Sequence, residues 1–286
     1  MDFFTTGREM THPYTCGKNM SEVDPDMWKQ LSADTLTEEE QKSPFSRHFY
    51  QLMAPIEEAH RAAIAHGPLH ADQCFMPEKA GAILLQGDEN YPCNGYGVLP
   101  NGVGFARITI HQNDVHDEMI RKYREEFAHD ETCRNLFYKI WFPKMHLIHF
   151  EDGIIENFGW GMVRQEMNWN LFRFAHIGIR QEDILRMAPH CICLLGVGGQ
   201  AEDLSDPERP KWPTLMVSTT REVPQGRVLQ VIYWSGLKLN DDGTVTVVPN
   251  PDRKKTEREM GMMMEHCMRE YCNELKLMQD FWKNSN

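Results

Sequence analysis

The chain lacks any apolar run long enough to cross a membrane, and its first residues, Met1-Asp-Phe-Phe-Thr-Thr-Gly-Arg8, have neither the basic nor the apolar stretch of a secretory leader. A cytosolic location is the expectation. Basic residues are scarce: 30 Lys and Arg stand against 42 Asp and Glu, a net charge of −12 at pH 7. That balance argues against a nucleic-acid or anionic-membrane surface and for small-molecule chemistry or protein partners. The eight cysteines are scattered and include no Cys-x-x-Cys pair, which excludes a dense disulfide framework and leaves reduced thiols as the default. There is no Gly-x-Ser-x-Gly elbow and no His-Glu-x-x-His zinc helix. Gly196-Val-Gly-Gly-Gln200 leads into Ala-Glu-Asp-Leu rather than Gly-Lys-Ser/Thr, so it reads as a loop and not a phosphate cradle.

What is present is enough material for one large domain or two smaller ones, since 286 residues bury a sizeable core. The first 45 residues or so are polar, with short helical stretches at Asp26 to Leu31 and Thr37 to Gln41, and a longer ordered element is expected from Ser46 to His66, ending at Gly67-Pro68. The turn-forming run Asp88 to Gly97 marks a passage into a larger unit, with the boundary near residue 93.

Beyond it the pattern predicts a strand at Gly102 to His111 and a helix from Asn113 to His129, capped by Asn113 or Asp114 and buried along Val115, Met119, Tyr123 and Phe127. Strand-like runs follow at Phe137 to Phe142, Ile154 to Met162, Met167 to His176, His190 to Val197, Thr214 to Val223 and Arg227 to Leu239. A turn at Gln225-Gly226 would set Ser218 opposite Tyr233. A helix from Arg253 to Lys283 closes the chain. This order predicts an α+β fold in which a mainly antiparallel sheet grips the terminal helix over a cavity.

The residues that can carry chemistry converge on that helix. His266 and Glu270 are four apart, so an imidazole and a carboxylate share one face at the edge of the apolar arc Met260, Met263, Met264, Cys267, Tyr271. Alone, such a pair is also an ordinary helix-surface contact; with two further ligands it is half of a metal site able to activate water. His129 closes the preceding helix and could reach the same space, or serve only as a helix-end cation. Glu156 alternates with Ile154 and Phe158 and so belongs on an inner face, where a carboxylate needs a metal or a basic partner. Glu166 shares a polar face with Asn168 and Asn170, and Glu151 sits in a Glu-Asp-Gly turn.

Five stretches together resemble the 2,4-diacetylphloroglucinol hydrolase and phloretin hydrolase family, zinc enzymes that cleave a carbon–carbon bond in acylated phloroglucinols. They are Tyr96-Gly-Val-Leu-Pro-Asn-Gly-Val-Gly-Phe-Ala106, the segment from His129 to Pro143, Ile155-Glu156-Asn-Phe-Gly, the hairpin from Arg221 to Trp234-Ser-Gly, and His266-Cys-Met-Arg-Glu270. The resemblance covers residue 80 or so to the end. It implies a zinc ion held by His129, Glu156, His266 and Glu270, with Glu151 the alternative to Glu156, because a small deletion lies between the first histidine and that glutamate. It also implies a helix-grip fold like that of the birch-pollen-allergen and START proteins, with residues 94–286 as the catalytic domain and residues 1–93 as a smaller region contributing to a homodimer.

In that family a histidine and a tyrosine on the hairpin strands contact the phenolic substrate. Tyr233 matches the tyrosine, Ser218 stands where the histidine is expected, and Tyr123 is a further candidate contact. The implied reaction is hydrolysis of an aryl ketone between the ring and its acyl carbonyl, with Glu156 or Glu270 moving protons and Tyr233 holding a ring oxygen. A non-catalytic carrier of hydrophobic small molecules and an iron oxygenase using the same ligands are the alternatives.

Overall fold

The computed structural model describes residues 15–24, 26–30, 34–86, 94–128, 134–169, 173–180, 183, 191–242 and 244–285. Its centre is an eight-stranded, wholly antiparallel sheet in the order β1-β2-β8-β7-β6-β5-β4-β3. The strands are β1 (Gly95–Val98), β2 (Gly104–Asn113), β3 (His146–Phe150), β4 (Gly153–Asn157), β5 (Met162–Glu166), β6 (Cys191–Asp203), β7 (Trp212–Val223) and β8 (Gly226–Ser235). A small second sheet pairs β9 (Leu237–Leu239) with β10 (Val245–Val247).

Among the described residues the α-helices are α1 (Glu38–Lys42), α2 (Glu58–His66), α3 (Ala80–Gln86), α4 (Asp117–Ala128), α5 (Arg134–Trp141) and the terminal α6 (Arg253–Ser285). Thr37 caps α1 with a reciprocal bond from Glu40, and Gly67 at φ 78° ends α2 where a side chain would be strained. In α6 the Asp252 carboxylate accepts from Lys255 N at 2.9 Å, and Arg253 ties the first turn to the carbonyls of Val98 and Leu99.

Alternation along the strands gives the sheet two apolar faces. Ala106, Ile108 and Ile110 of β2 pair with Tyr233, Val231 and Leu229 of β8, and this face packs on Met260, Met263, Met264, Cys267 and Met268 of α6. The intervening residues, among them Phe105, Ile232, Val217 and Trp234, face the other way onto Ala80, Leu84, Ile177 and Ile179. Residues from before position 93 therefore enter the core, and Trp234 Nε1 donates to Phe75 O at 2.8 Å. The expected boundary near residue 93 lies outside the described residues.

Several local expectations give way. Ser46 to His66 is not one element: a 3-10 turn at Ser46–Tyr50 is separated from α2 by Pro55, which excludes a continuous helix. Phe137 to Trp141 is helical rather than extended, and burial of Leu136 through Ile140 hides the helical period. Asn113 ends β2 and Asp114 takes φ 61°, so neither caps α4; His116 Nδ1 accepts from Met119 N instead.

The predicted strand from Met167 to His176 reduces, among its described residues, to one bridge between Asn168 and Gly198 and a 3-10 turn at Phe174–Ile177. The turn begins where Arg173 N donates to His176 Nδ1 at 3.0 Å. Gly196 to Gln200 lies inside β6 rather than in a loop, and a Cβ on Gly199 would meet Glu166 O at 1.8 Å. Glycine is there for close approach to the backbone at the end of β5.

Candidate metal centre

Beneath α6, at the β3–β4 end of the sheet, four chain segments bring titratable groups together. Glu156 stands on β4 directly opposite His146 of β3, on the same face as Val163. His266 and Glu270 project from α6, and Tyr138 from α5. Their placement follows from a few fixed contacts. Asn273, one turn beyond Glu270, donates through Nδ2 to Ile140 O (3.1 Å) and Trp141 O (2.9 Å), satisfying carbonyls at the end of α5, and accepts from Ala54 N (3.1 Å). Trp141 Nε1 donates to Glu270 O at 3.0 Å. The two helices are thereby locked next to the cluster.

His146 Nε2 lies 3.1 Å from Glu270 Oε2 and 3.3 Å from Glu156 Oε1. His266 Nε2 lies 3.6 Å from Glu156 Oε2 and 3.8 Å from Glu270 Oε2. One ligand atom each of His146, Glu156 and His266 falls within a 4.8 Å span. All four residues are buried.

Proton bookkeeping decides what this packing can hold. His146 Nδ1 is 2.9 Å from Tyr138 O, and a carbonyl can only accept, so Nδ1 carries the proton and the neutral ring turns a lone pair at Nε2 towards two carboxylates. His266 Nε2 has no hydrogen-bond partner among the described residues. Burial pushes Glu270 up to about 8. Burial, then repulsion from Glu270, raises Glu156 to about 7 against the opposing pull of His146. Burial lowers both imidazoles, with His146 adding to the lowering of His266. Lone pairs thus converge where protons or a cation must neutralise them. Two imidazole nitrogens and two carboxylates suit a divalent metal such as zinc, and the orphaned His266 Nε2 is the atom that fits this reading best.

Tyr138 organises the set in three ways. Its carbonyl fixes the His146 tautomer, its ring stacks on the His146 ring at 4.1 Å and 11°, and its hydroxyl donates to Glu156 Oε1. Phe142 and Phe158 hold the His266 ring, each at 4.6 Å.

Three of the four sequence-predicted metal ligands, Glu156, His266 and Glu270, meet here. His129 lies outside the described residues. His146 was missed, because every residue of β3 is buried and no alternation separates His146 from His149. Glu151 sits in an exposed turn as acceptor from the Thr15 hydroxyl, and Glu166 is exposed, so neither joins the cluster.

Tyr233 faces α6, fully enclosed, and burial raises its hydroxyl well above the usual phenol range. Ser218 shares that face but lies opposite Val231; Met216 is opposite Tyr233. The register differs from expectation because Pro224-Gln225 forms the turn and Gly226 already pairs with Val223. A Cβ on Gly226 would meet Gln112 O at 2.3 Å, which fixes glycine in the strand. Tyr123 is buried in the cluster that also holds Tyr138, edge-on to Phe281 at 5.4 Å. A surface groove by the β7–β8 hairpin, lined by Asp114, His116, Asp117, Glu222 and Arg227, contains none of these groups.

No protein-family model matches the chain. Over 109 residues, 38% of its length, it is 28% identical to phloretin hydrolase of Eubacterium ramulus. The matched stretch spans 39% of that relative, well under half of its length. No helix among the described residues is long and apolar enough to cross a membrane.

Proposed function

We propose that this protein is a zinc-dependent hydrolase that cleaves the carbon–carbon bond between a polyhydroxylated aromatic ring and an acyl carbonyl, as in phloretin. The observation that carries the reading is the buried convergence of His146, Glu156, His266 and Glu270, with His266 Nε2 lacking a hydrogen-bond partner among the described residues. The likeness to phloretin hydrolase supports the reaction class. A helix-grip arrangement is part of the proposal, supported by the antiparallel sheet with α6 across one face. A homodimer contact through the N-terminal region is also part of the proposal.

His146, Glu156, His266 and Glu270 would hold the ion, and His129 remains a candidate ligand. When bound, zinc supplies Lewis acidity and lowers the pKa of water from ~16 to about 7. The chain's own groups do the rest. Water adds its oxygen to the acyl carbon, the ring–acyl bond breaks, and the ring carbon keeps the electron pair and takes a proton, giving a phenol and a carboxylic acid. Hydroxyl groups on the ring let that carbon be protonated through a keto tautomer. Glu156 or Glu270 would move the proton, since a carboxylate not engaged by the ion is a competent base. Tyr233 donates its phenolic proton to a ring oxygen, and its high pKa keeps it a donor at neutral pH.

Elemental analysis followed by anaerobic incubation with phloretin tests the proposal. Stoichiometric zinc and release of phloroglucinol are expected; a zinc-free protein, or one that needs dioxygen, overturns it.

A further inference from the structure

Outside the metal cluster, the face of the sheet beneath α6 carries a second buried polar group. Glu259 is 3% exposed; its Oε2 pairs with Arg209 at 2.7 Å, while its Oε1 has no hydrogen-bond partner among the described residues. Arg209 also reaches Asp203 at 3.5 Å and lies over the Trp212 ring at 3.8 Å. One cation is thus shared by two carboxylates, and the trio keeps a negative charge. Glu259 precedes His266 by seven residues, an advance of about 10 Å that returns to the same helix face.

Nearer the metal cluster, Trp160 stacks on Phe158 at 4.9 Å, and Phe158 packs on His266. Trp160 Nε1 is buried and likewise has no partner among the described residues. Trp160, Trp212, Tyr233 and Met263 belong to one apolar cluster. An unmatched carboxylate oxygen and an unmatched indole N–H are each costly, and a hydrogen-bonding ligand relieves both.

We propose that Glu259 Oε1 and Trp160 Nε1 form a recognition subsite for aromatic hydroxyl groups. A ring hydroxyl donates to Glu259 Oε1, Trp160 Nε1 donates to a ligand oxygen, and the ring packs among the surrounding apolar side chains. The net negative charge of the trio selects neutral hydroxyls over carboxylates or phosphates. The inference rests on the hydrolase reading and names how that site chooses its substrate.

The test uses the full-length, zinc-loaded protein and the variants Glu259→Gln and Trp160→Phe. Calorimetry with phloroglucinol reads binding without turnover, and steady-state kinetics with phloretin reads KM and kcat. Each variant is expected to weaken phloroglucinol about tenfold, the worth of one buried hydrogen bond, and to raise KM more than it lowers kcat. Zinc content is expected to be unchanged. Trp160→Phe keeps the stacking and leaves the Arg209 ion pairs alone, so it carries the test if Glu259→Gln does not fold. Cleavage by the parent protein with unaltered phloroglucinol affinity in Trp160→Phe overturns the subsite alone. A parent protein that neither binds phloroglucinol nor cleaves phloretin overturns the subsite and the hydrolase reading together.

Discussion

His146 Nε2 and Glu270 Oε2 are 3.1 Å apart although 124 residues of chain separate them. One comes from a strand at the edge of the sheet and the other from the terminal helix. Their meeting beside Glu156 and His266 gives the site its donors and the predictions that follow.

If His146 is a ligand, His146→Ala and His266→Ala should each purify with little zinc and no activity, as measured by elemental analysis and phloretin turnover. Full zinc content and turnover in His266→Ala would sink the assignment. Full content in His146→Ala together with loss in His129→Ala would move the first imidazole ligand to His129.

Tyr138→Phe keeps the ring stacked on His146 but removes the donor to Glu156 Oε1. Loss of a partner that orients a ligand lowers metal affinity about 10- to 100-fold. Competition with a chelator reads this directly, and an unchanged zinc affinity would show that the hydroxyl does not orient Glu156.

Tyr233→Phe should slow catalysis while retaining the metal, because the proposal sets its hydroxyl on the substrate and leaves the ion to His146, Glu156, His266 and Glu270. Loss of zinc in this variant would show that its role is structural.

The chelated protein should lose thermal stability between pH ~6.5 and ~8. Burial lifts Glu156 to about 7 and Glu270 to about 8. Unfolded carboxyls have already released their protons in this window, so the native state binds more protons and its stability falls as pH rises. The lowered His146 and His266 act in the opposite sense, but only below the ordinary imidazole range near ~6.5. Zinc displaces the carboxyl protons, so the loaded protein should show a flatter profile. A Tm of the chelated form that climbs from pH ~6.5 to ~8 would contradict the carboxyl burial.

Lys139 Nζ and Glu40 Oε2 form a buried pair at 2.8 Å that ties α1 to the helix carrying Tyr138. Lys139→Met alone should cost about 3 to 5 kcal/mol, since it strands a carboxylate, whereas Lys139→Met with Glu40→Leu should recover most of that. Denaturant unfolding measures both.

His266 and Glu270 were legible because a helix converts a spacing of four into adjacency without help from the rest of the fold. Glu156 was legible for the same kind of reason: a strand's two-residue period assigns it to the face of its apolar neighbours. The long terminal helix, the β7–β8 hairpin and the antiparallel character of the sheet also followed from local pattern. His146, Tyr138 and the Glu259–Arg209 pair did not.

The segments of His146 and Tyr138 are largely buried, so no periodicity marks a face: α5 passed for a strand and β3 left no signal of its own, while Glu259 and Arg209 stand on separate segments that only the fold brings together. In the register of β7 on β8, Gly226 pairs with Val223, and a side chain there would also collide with Gln112 O from a strand far away in sequence. The sequence by itself determined which groups share an element. Only the tertiary structure decided which elements meet, because cross-strand pairing and helix docking depend on contacts between segments that no local spacing encodes.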